Sequence, residues 1–305
     1  AYLITDSTAI FSDAAESVIN IVASSVALYS IIISSKPADQ DHPYGHGKIE
    51  YFSAGFEGLL IAIAGLVIIY SGIEKIIVGA EPSKLGVGIF LLGGTAIVNL
   101  ILSVYIKRVG EKNNSLTLIA DSKHVLADVY TSVGIIVGLG VVIITDISVF
   151  DPIIAIIVAL NILVTGYKLV RESVGGLMNE VDSETMQIIS SKIVEIRKPE
   201  WIDIHELRFW KSANHTFIDF HLVLPFYYTI KESHKSDELV LEEMRKILPG
   251  TQVKIHLDYC DYNLCKFCEF NTCSERKEKL IETSDWNQER ITGIGIRKIN
   301  GLQEP

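Results

Sequence analysis

The apolar residues of the first 178 positions fall into five long runs, separated by short breaks that are polar or rich in glycine. A helix needs about 20 mostly apolar residues to cross the hydrocarbon core of a bilayer, and each run reaches that length. Gly93 and Gly94 of the third run are small enough to predict a helix-packing surface there. The pattern predicts five membrane-spanning helices, at residues 7–33, 51–77, 85–109, 115–145 and 149–175.

Beyond residue 178 the pattern changes to shorter segments. Two segments are typical of helices, the second of them amphipathic, and the strand segments alternate apolar and polar residues as half-buried strands do. Pro199 ends the first helix, and Pro249 with Gly250 separates the second helix from a last strand. The predicted order is helix 183–198, strands 202–210 and 216–224, helix 231–247 and strand 252–258, which indicates a small α+β sandwich.

The charged residues follow the same division. Residues 1–178 carry 25 charged side chains, whereas the shorter remainder carries 39. We therefore expect a transmembrane domain at 1–178, a soluble domain at 179–259 and a cysteine-rich tail at 260–305. A mean hydropathy of +0.33 excludes a wholly soluble enzyme. The net charge of -10, with no concentrated basic surface, argues against a nucleic-acid partner.

Lysine and arginine are unevenly distributed between the two sides of the predicted membrane domain. Short loops rich in these residues stay in the cytoplasm, so the bias predicts that the C-terminal part is cytoplasmic. The basic side has Lys36, Lys48, Lys107, Arg108, Lys112, Lys168 and Arg171, and the opposite side has Lys75 and Lys84.

Two predicted spans carry ladders of polar and ionisable side chains at membrane depth, where ionisable groups are costly and mark partners, water or substrate. Their spacing of three or four residues places them on one face of each helix. Polar contacts between helices are the alternative explanation, but two ladders of carboxylate and imidazole favour a cation site. The ladders are Asp13, Glu16 and Asn20 in the first span, and Asp121, His124 and Asp128 in the fourth.

Four of these side chains can close a tetrahedral shell around a divalent transition ion. Glu16, Asn20 and Asp128 supply oxygen donors, and His124 supplies an imidazole nitrogen. Two carboxylates neutralise a dication, and the imidazole or a carboxylate can take up a proton when the ion leaves. Metal binding that requires deprotonated ligands is coupled to protons by its chemistry.

Three segments of the sequence resemble the cation diffusion facilitator family: SDAAESVIN at 12–20, PADQDHPYGHGKIE at 37–50 and ADSKHVLAD at 120–128. The resemblance extends to about residue 258. It implies a homodimer that exports divalent transition metals in exchange for protons by alternating access. It also implies a ferredoxin-like, metallochaperone-like cytoplasmic domain. Family members usually have six spans, so we expect a first span to be missing ahead of the five.

By position, the resemblance implies that the intramembrane transport site is Glu16, Asn20, His124 and Asp128, with Asp13 and Asp121 in support. Many members have an aspartate where this chain has Asn20, so this site has one formal charge fewer. His124 favours zinc or ferrous iron, with manganese, cobalt, nickel and cadmium left open. The resemblance also implies a regulatory metal site in the C-terminal domain, at His205, His221, His234, His256 and Asp258.

The polar loop after the first span has a second group of metal-type residues. Asp39, His42 and His46 are spaced by three and four residues, which suits a metal clip, and the alternative is a solvated turn. The resemblance marks Asp39 and His46 as ligands, with His42 nearby. It also assigns Lys48 a charge contact at the membrane–cytosol junction, although Asn179 replaces the family's acidic partner.

All four cysteines of the chain fall within fourteen residues: Cys260, Cys265, Cys268 and Cys273. In a reducing cytosol this spacing favours thiolate coordination of zinc or a similar soft ion over disulfides. A redox-labile segment that binds metal only incidentally is the alternative.

The sequence as a whole favours a proton-coupled efflux transporter of divalent transition metals, not an enzyme. We expect a homodimer in a lipid bilayer, namely a bacterial or archaeal plasma membrane. The alternative is a membrane-embedded metal sensor without transport, which the neutral Asn20 allows. An intramembrane metalloenzyme is disfavoured because the chain has no His-Glu-x-x-His motif.

Overall fold

The structure, a computed structural model, describes residues 8–78, 86–145, 147 and 149–293, with side chains from Asn20 onward except those of 86–92, 139 and 151. The side chains of Asp13 and Glu16 therefore lie outside the described residues. The chain divides into two compact units, Ala1–Met178 and Asn179–Pro305, which we name the helical unit and the α+β unit.

The helical unit has its helices where the five apolar runs predict them. Within the described ranges, three segments are long and apolar enough to cross a membrane, namely Ile49–Val78, Leu116–Thr145 and Pro152–Leu177. Asn20–Ser34 is a shorter apolar helical segment. The helices are α1 (Thr8–Ser34), α2 (Ile49–Val78), α3 (Gly86–Lys112), α4 (Leu116–Thr145) and α5 (Phe150–Leu177).

Helices α2 and α5 pack against each other more extensively than any other pair of described helices. A Cβ built on Gly58 would lie 3.0 Å from the carbonyl oxygen of Gly166, and one on Gly166 would lie 2.7 Å from that of Gly58. The two backbones are therefore in direct contact, which only small residues permit. No described atom lies within 4 Å of a Cβ added at Gly93 or Gly94, so the packing surface expected there stays a prediction.

A carboxylate of α2 joins the beginnings of α2 and α4. The Ser115 hydroxyl donates a hydrogen bond to Oε2 of Glu50 at 2.6 Å, and the Thr117 backbone N–H donates to the same oxygen at 3.3 Å. The first N–H groups of a helix have no partner within the helix and carry partial positive charge, so a carboxylate there is stabilising. The two helices therefore begin side by side, at the same end of the unit.

The α+β unit has the predicted order of elements. Asp182 caps its first helix, and Thr229 and Glu232 form a capping box at its second. The sheet order is β1-β2-β3, with β1 and β2 antiparallel and β2 and β3 parallel. The elements are α6 (Ser183–Glu195), β1 (Asp203–Ser212), β2 (His215–Leu224), α7 (Ile230–Ile247), β3 (Gln252–Tyr259), a 3-10 helix (Tyr262–Phe267) and α8 (Gln288–Thr292).

The core of the α+β unit includes residues that follow the cysteines. Trp286 and Ile291 are buried in the same cluster as Trp201, Ile204 and Phe220. The sequence assigns no role to this part of the tail. The structure packs it, as far as residue 293, onto the sheet and helices of the unit.

Candidate metal sites

An asparagine and a histidine from different helices meet inside the helical unit. Nε2 of His124, in α4, lies 3.1 Å from Oδ1 of Asn20, in α1. His124 is buried and Asn20 is half-buried. Two ligand atoms of a tetrahedral zinc lie about 3.3 Å apart when each bond is about 2.0–2.1 Å. In the structure the two side chains share a hydrogen bond, and their separation is also close to that of two ligands of one metal ion.

The other predicted ligands of this site extend along α4. Asp128 lies one helical turn after His124 and is half-buried. Asp121 lies one turn before His124, and its carboxylate interacts electrostatically with the imidazole. Because the side chain of Glu16 lies outside the described residues, the complete four-residue shell stays a prediction.

The loop between α1 and α2 brings Asp39, His42 and His46 together. Oδ1 of Asp39 lies 3.1 Å from Nδ1 of His42, and Oδ2 lies 3.3 Å from Nε2 of His46. One ligand atom from each residue lies within 4.8 Å of the other two. Gly45, with φ of +81°, provides the turn that brings His46 back to Asp39. This geometry fits the predicted metal clip.

The electrostatics of the loop keep Asp39 in its metal-binding form. The backbone N–H of His42 hydrogen-bonds Asp39 Oδ1 at 2.6 Å and, with the two nearby imidazoles, holds the pKa of that carboxyl below its usual range. Nδ1 of His46 is buried and has no hydrogen-bond partner among the described residues. The carboxylate of Asp39 is therefore available to a metal without the loss of a proton. The contact expected of Lys48 stays a prediction.

Each strand of the α+β unit carries one histidine at the same level of the sheet. His205 of β1 pairs with His221 of β2, which pairs in turn with His256 of β3. Residues at paired positions share one face of a sheet. The ring centroids of His205 and His221 are 4.9 Å apart, and those of His221 and His256 are 4.4 Å apart. The sheet therefore presents a row of three imidazoles.

Asp258 completes this row as a carboxylate. It lies two residues after His256 and so on the same face of β3. Its Oδ2 is 3.0 Å from Nδ1 of His221 and 3.7 Å from Nε2 of His205. Its Oδ1 is 3.5 Å from Nε2 of His256. Ligand atoms of His205, His221 and Asp258 all lie within 4.8 Å of one another, as a bound metal requires.

The fifth residue predicted for this cluster lies elsewhere. His234 is exposed on α7, where its ring nitrogens are 3.6 Å from Oδ2 of Asp237 and 3.5 Å from Oε1 of Glu238. Among the described residues, the converging ligand atoms do not include those of His234. Its membership of the cluster stays a prediction.

Sequence reasoning leaves out Asp203, which supports His205. Asp203 is buried, with one oxygen 3.2 Å from Nδ1 of His205 and the other paired with Arg290 of α8. Nδ1 of His205 has no hydrogen-bond partner among the described residues, so Asp203 acts on the ring through the proximity of its charge, which leaves the other nitrogen for metal. Here that nitrogen is Nε2, which lies near Asp258. The Asp-x-His spacing on one strand could have indicated this role.

Sequence reasoning also leaves out a buried carboxylate in the helical unit, that of Glu57 in α2.

The four cysteines are unbridged and line a single cavity of about 20 Å³. Such a volume is enough for one water-sized occupant. The guanidinium of Arg276 donates hydrogen bonds to the carbonyl oxygens of Cys265 and Cys268, at 3.1 and 2.6 Å, and so holds the backbone of the loop. The four cysteines thus lie around one cavity, but among the described residues the converging ligand atoms do not include their thiols, so the predicted thiolate site stays a prediction.

Two thiols of this cavity, those of Cys260 and Cys268, are held in the protonated form at neutral pH. Burial raises the pKa of the Cys260 thiol to about 11 and also raises the pKa of Cys268. Tyr227 donates a hydrogen bond to Sγ of Cys273 at 3.4 Å. Because thiolates are the metal-binding form, an ion that enters the cavity must displace protons from these groups.

Comparison with known proteins gives matches to both units. The cation efflux transmembrane domain matches residues 1–178, and the cation efflux protein cytoplasmic domain matches residues 181–260. The first match covers more than half of the chain.

Several known proteins resemble the chain over most of its length. It is 34% identical over 259 residues to the uncharacterized transporter sll1263 of Synechocystis sp., covering 85% of this chain and 83% of that protein. It is 30% identical over 264 residues to the manganese efflux system protein MneP of Bacillus subtilis, covering 84% and 88%. It is 28% identical over 262 residues to the cation-efflux pump FieF of Citrobacter koseri, covering 85% and 86%.

Proposed function

The chain belongs to the cation diffusion facilitator family, and we propose that it exports a divalent transition-metal cation from the cytosol in exchange for protons. The family handles divalent metal cations and consists of transporters, not enzymes. The observation that carries the proposal for this chain is the close approach of His124 to Asn20 between α4 and α1. It puts an imidazole nitrogen and an amide oxygen at a metal-ligand separation within an apolar helical unit.

Proton exchange follows from the ligand types at this site. Imidazole and carboxylate groups must lose their protons before they bind a metal ion. His124 and Asp128, with Glu16, therefore bind either protons or the cation, whereas the amide of Asn20 binds no proton. Alternating access of this site to the two sides of the membrane couples the outward movement of metal to the inward movement of protons.

The ligand set favours zinc or ferrous iron as the cargo. An imidazole nitrogen suits these ions, whereas manganese prefers a shell of oxygen ligands. The similarity to MneP makes manganese the main competing cargo. The neutral Asn20 weakens the preference for any hard dication, because it contributes no charge to the shell.

The α+β unit supplies the regulatory part of the proposal. Metal bound in this unit stabilises a homodimer and biases the transport cycle. Its ligands are His205, His221 and Asp258, with His256 alongside and His234 as a further ligand. The match to the family's cytoplasmic domain supports this regulatory role. In the proposal the α+β unit therefore lies in the cytosol. The loop cluster of Asp39, His42 and His46 is a second metal site on the same side of the membrane.

The cysteine cavity is a further metal site in this proposal. Four thiols that line one small cavity suit zinc or another soft ion. Because two of the thiols have raised pKa values, occupancy depends on pH and is lost as the pH falls.

The proposal is tested with the purified chain in proteoliposomes. Uptake of Zn²⁺, Fe²⁺ and Mn²⁺ is measured with and without a pH gradient across the vesicle membrane. We expect gradient-driven uptake of at least one ion, and its loss in Asp128→Asn. A matched control is Glu111→Gln, which removes an exposed acidic group of α3 whose ion pair with Lys107 contributes little. Metal binding by the protein without uptake of any ion would instead support the sensor alternative.

A further inference from the structure

Helix α2 carries two buried polar side chains one turn apart, Ser53 and Glu57. Their exposed fractions are 2% and 0%. Neither the Ser53 hydroxyl oxygen nor either carboxylate oxygen of Glu57 has a hydrogen-bond partner among the described residues. A buried carboxylate without a partner is strongly destabilising, so these oxygens require a cation, a proton or water.

A second carboxylate, from α4, lies within electrostatic range of Glu57. Asp121 interacts electrostatically with Glu57 and also with the imidazole of His124. Asp121 therefore connects the buried oxygens of α2 to the pair formed by His124 and Asn20. Glu57 is not one of the four ligands that the family resemblance implies.

The positions along the helices give the relative depth of these groups. An α-helix rises 1.5 Å per residue, and the beginnings of α2 and α4 are joined through Glu50 and Ser115. Glu57 then lies about 10 Å along α2 from Glu50, and Asp121 lies about 9 Å along α4 from Ser115. His124 is deeper, at about 14 Å. The two carboxylates share one level, between the joined helix ends and the histidine.

We propose that Ser53, Glu57 and Asp121 form a second intramembrane cation site, which a divalent cation occupies on its way from the cytosol to His124. This inference rests on the proposed function, which puts the joined helix ends on the cytosolic side. Two carboxylates cancel the charge of a dication, and the serine hydroxyl adds a third oxygen ligand. The site has oxygen donors only, so it admits hard and borderline dications before the imidazole-containing site selects among them.

The first test is Glu57→Gln, which keeps the size of the side chain and removes its charge. Cation-dependent transport rates of the full chain are measured in proteoliposomes. We expect KM for the cation to rise about 10- to 100-fold, the effect typical of losing a supporting metal-site group, with kcat largely retained. The matched control is Glu74→Gln, an exposed glutamate further along the same helix, which should leave KM unchanged.

The second test is a double-mutant cycle with Asp121→Asn. If both carboxylates hold one ion, the double variant should raise KM little beyond the larger single effect. Fully additive effects would overturn the shared site. An unchanged KM in Glu57→Gln would overturn it too, as would a shift of the pH profile alone, because the carboxylates would then share a proton instead.

A binding measurement separates this inference from the proposed function. The number of Zn²⁺ or Mn²⁺ ions bound per chain is determined for the purified full-length protein in detergent. The site predicts one ion fewer for Glu57→Gln than for the wild type, even if the wild type transports nothing. Equal numbers would overturn the second site while leaving transport through His124 intact.

Discussion

Nε2 of His124 lies 3.1 Å from the amide oxygen of Asn20, so an imidazole meets a neutral amide between α4 and α1. Two carboxylates, those of Glu16 and Asp128, then provide all the formal negative charge of the proposed four-residue shell. That charge balances a dication without excess. The preference among ions and the dependence on pH are therefore expected to respond to the charge at position 20.

The variant Asn20→Asp adds an anionic oxygen to this shell without removing a ligand. We expect transport to persist, with the rate for Mn²⁺ rising relative to the rate for Zn²⁺, because the added ligand is hard. The added carboxylate also binds a proton, so the pH dependence should change. The measurement is vesicle uptake of both ions between pH 5 and 9. An unchanged ion preference and pH curve would show that Asn20 points away from the ion.

The variant Asp128→Ala removes one of the two charged oxygen ligands. A dication bound in an apolar environment would then be undercompensated in charge, so we expect loss of transport. The protein should still insert into the membrane and form dimers, as measured by size-exclusion chromatography in detergent. Transport at the wild-type rate would refute the assignment of Asp128.

Replacing all four cysteines with serine tests the cavity that they line. We expect the full-length variant to bind fewer zinc ions per chain than the wild type under reducing conditions, while transport continues with altered metal sensitivity. Burial raises the pKa of Cys260 to about 11, so zinc must displace its proton, and wild-type occupancy should fall as the pH drops. Equal zinc content in both proteins would make the cluster a redox or incidental feature.

The variant Asp203→Asn tests the support of His205. Losing the carboxylate near Nδ1 should weaken zinc binding at the row of histidines about 10- to 100-fold, as is typical for groups that orient a metal ligand. Zinc titrations followed by thermal unfolding measure this change. The control is Glu195→Gln on α6, which removes one ion pair of Lys192. The same zinc-induced stabilisation in the wild type, Asp203→Asn and Glu195→Gln would contradict the role of Asp203.

The parts of the fold that the sequence predicts correctly depend on local patterns. Long apolar runs are enough to place the five helices, and alternation is enough to place the three strands. Part of the histidine cluster can also be predicted from the sequence, because the spacing of His256 and Asp258 places them on one face of a strand. The pairing of His205 with His221, in contrast, needed the register of two strands.

Contacts between residues that are distant in the sequence cannot be predicted from a local pattern of apolar and polar residues. A helix that is apolar all round does not reveal which face packs against which neighbour. The packing surface expected at Gly93 and Gly94 stays a prediction, and the close contact that the structure shows is between Gly58 and Gly166. Glu57 is visible in the sequence as a carboxylate within a predicted span, but its electrostatic partner Asp121 lies in another helix.

The central claim is that metal leaves the cytosol in exchange for protons. It is tested most directly by recording metal uptake and internal pH together in the same proteoliposomes. With purified wild-type protein and an acidic vesicle interior, we predict that the inward movement of Zn²⁺ or Fe²⁺ raises the internal pH, and that both signals vanish in Asp128→Ala. Metal uptake without a proton signal, or a lack of metal uptake by a protein that binds the ion, would contradict the account.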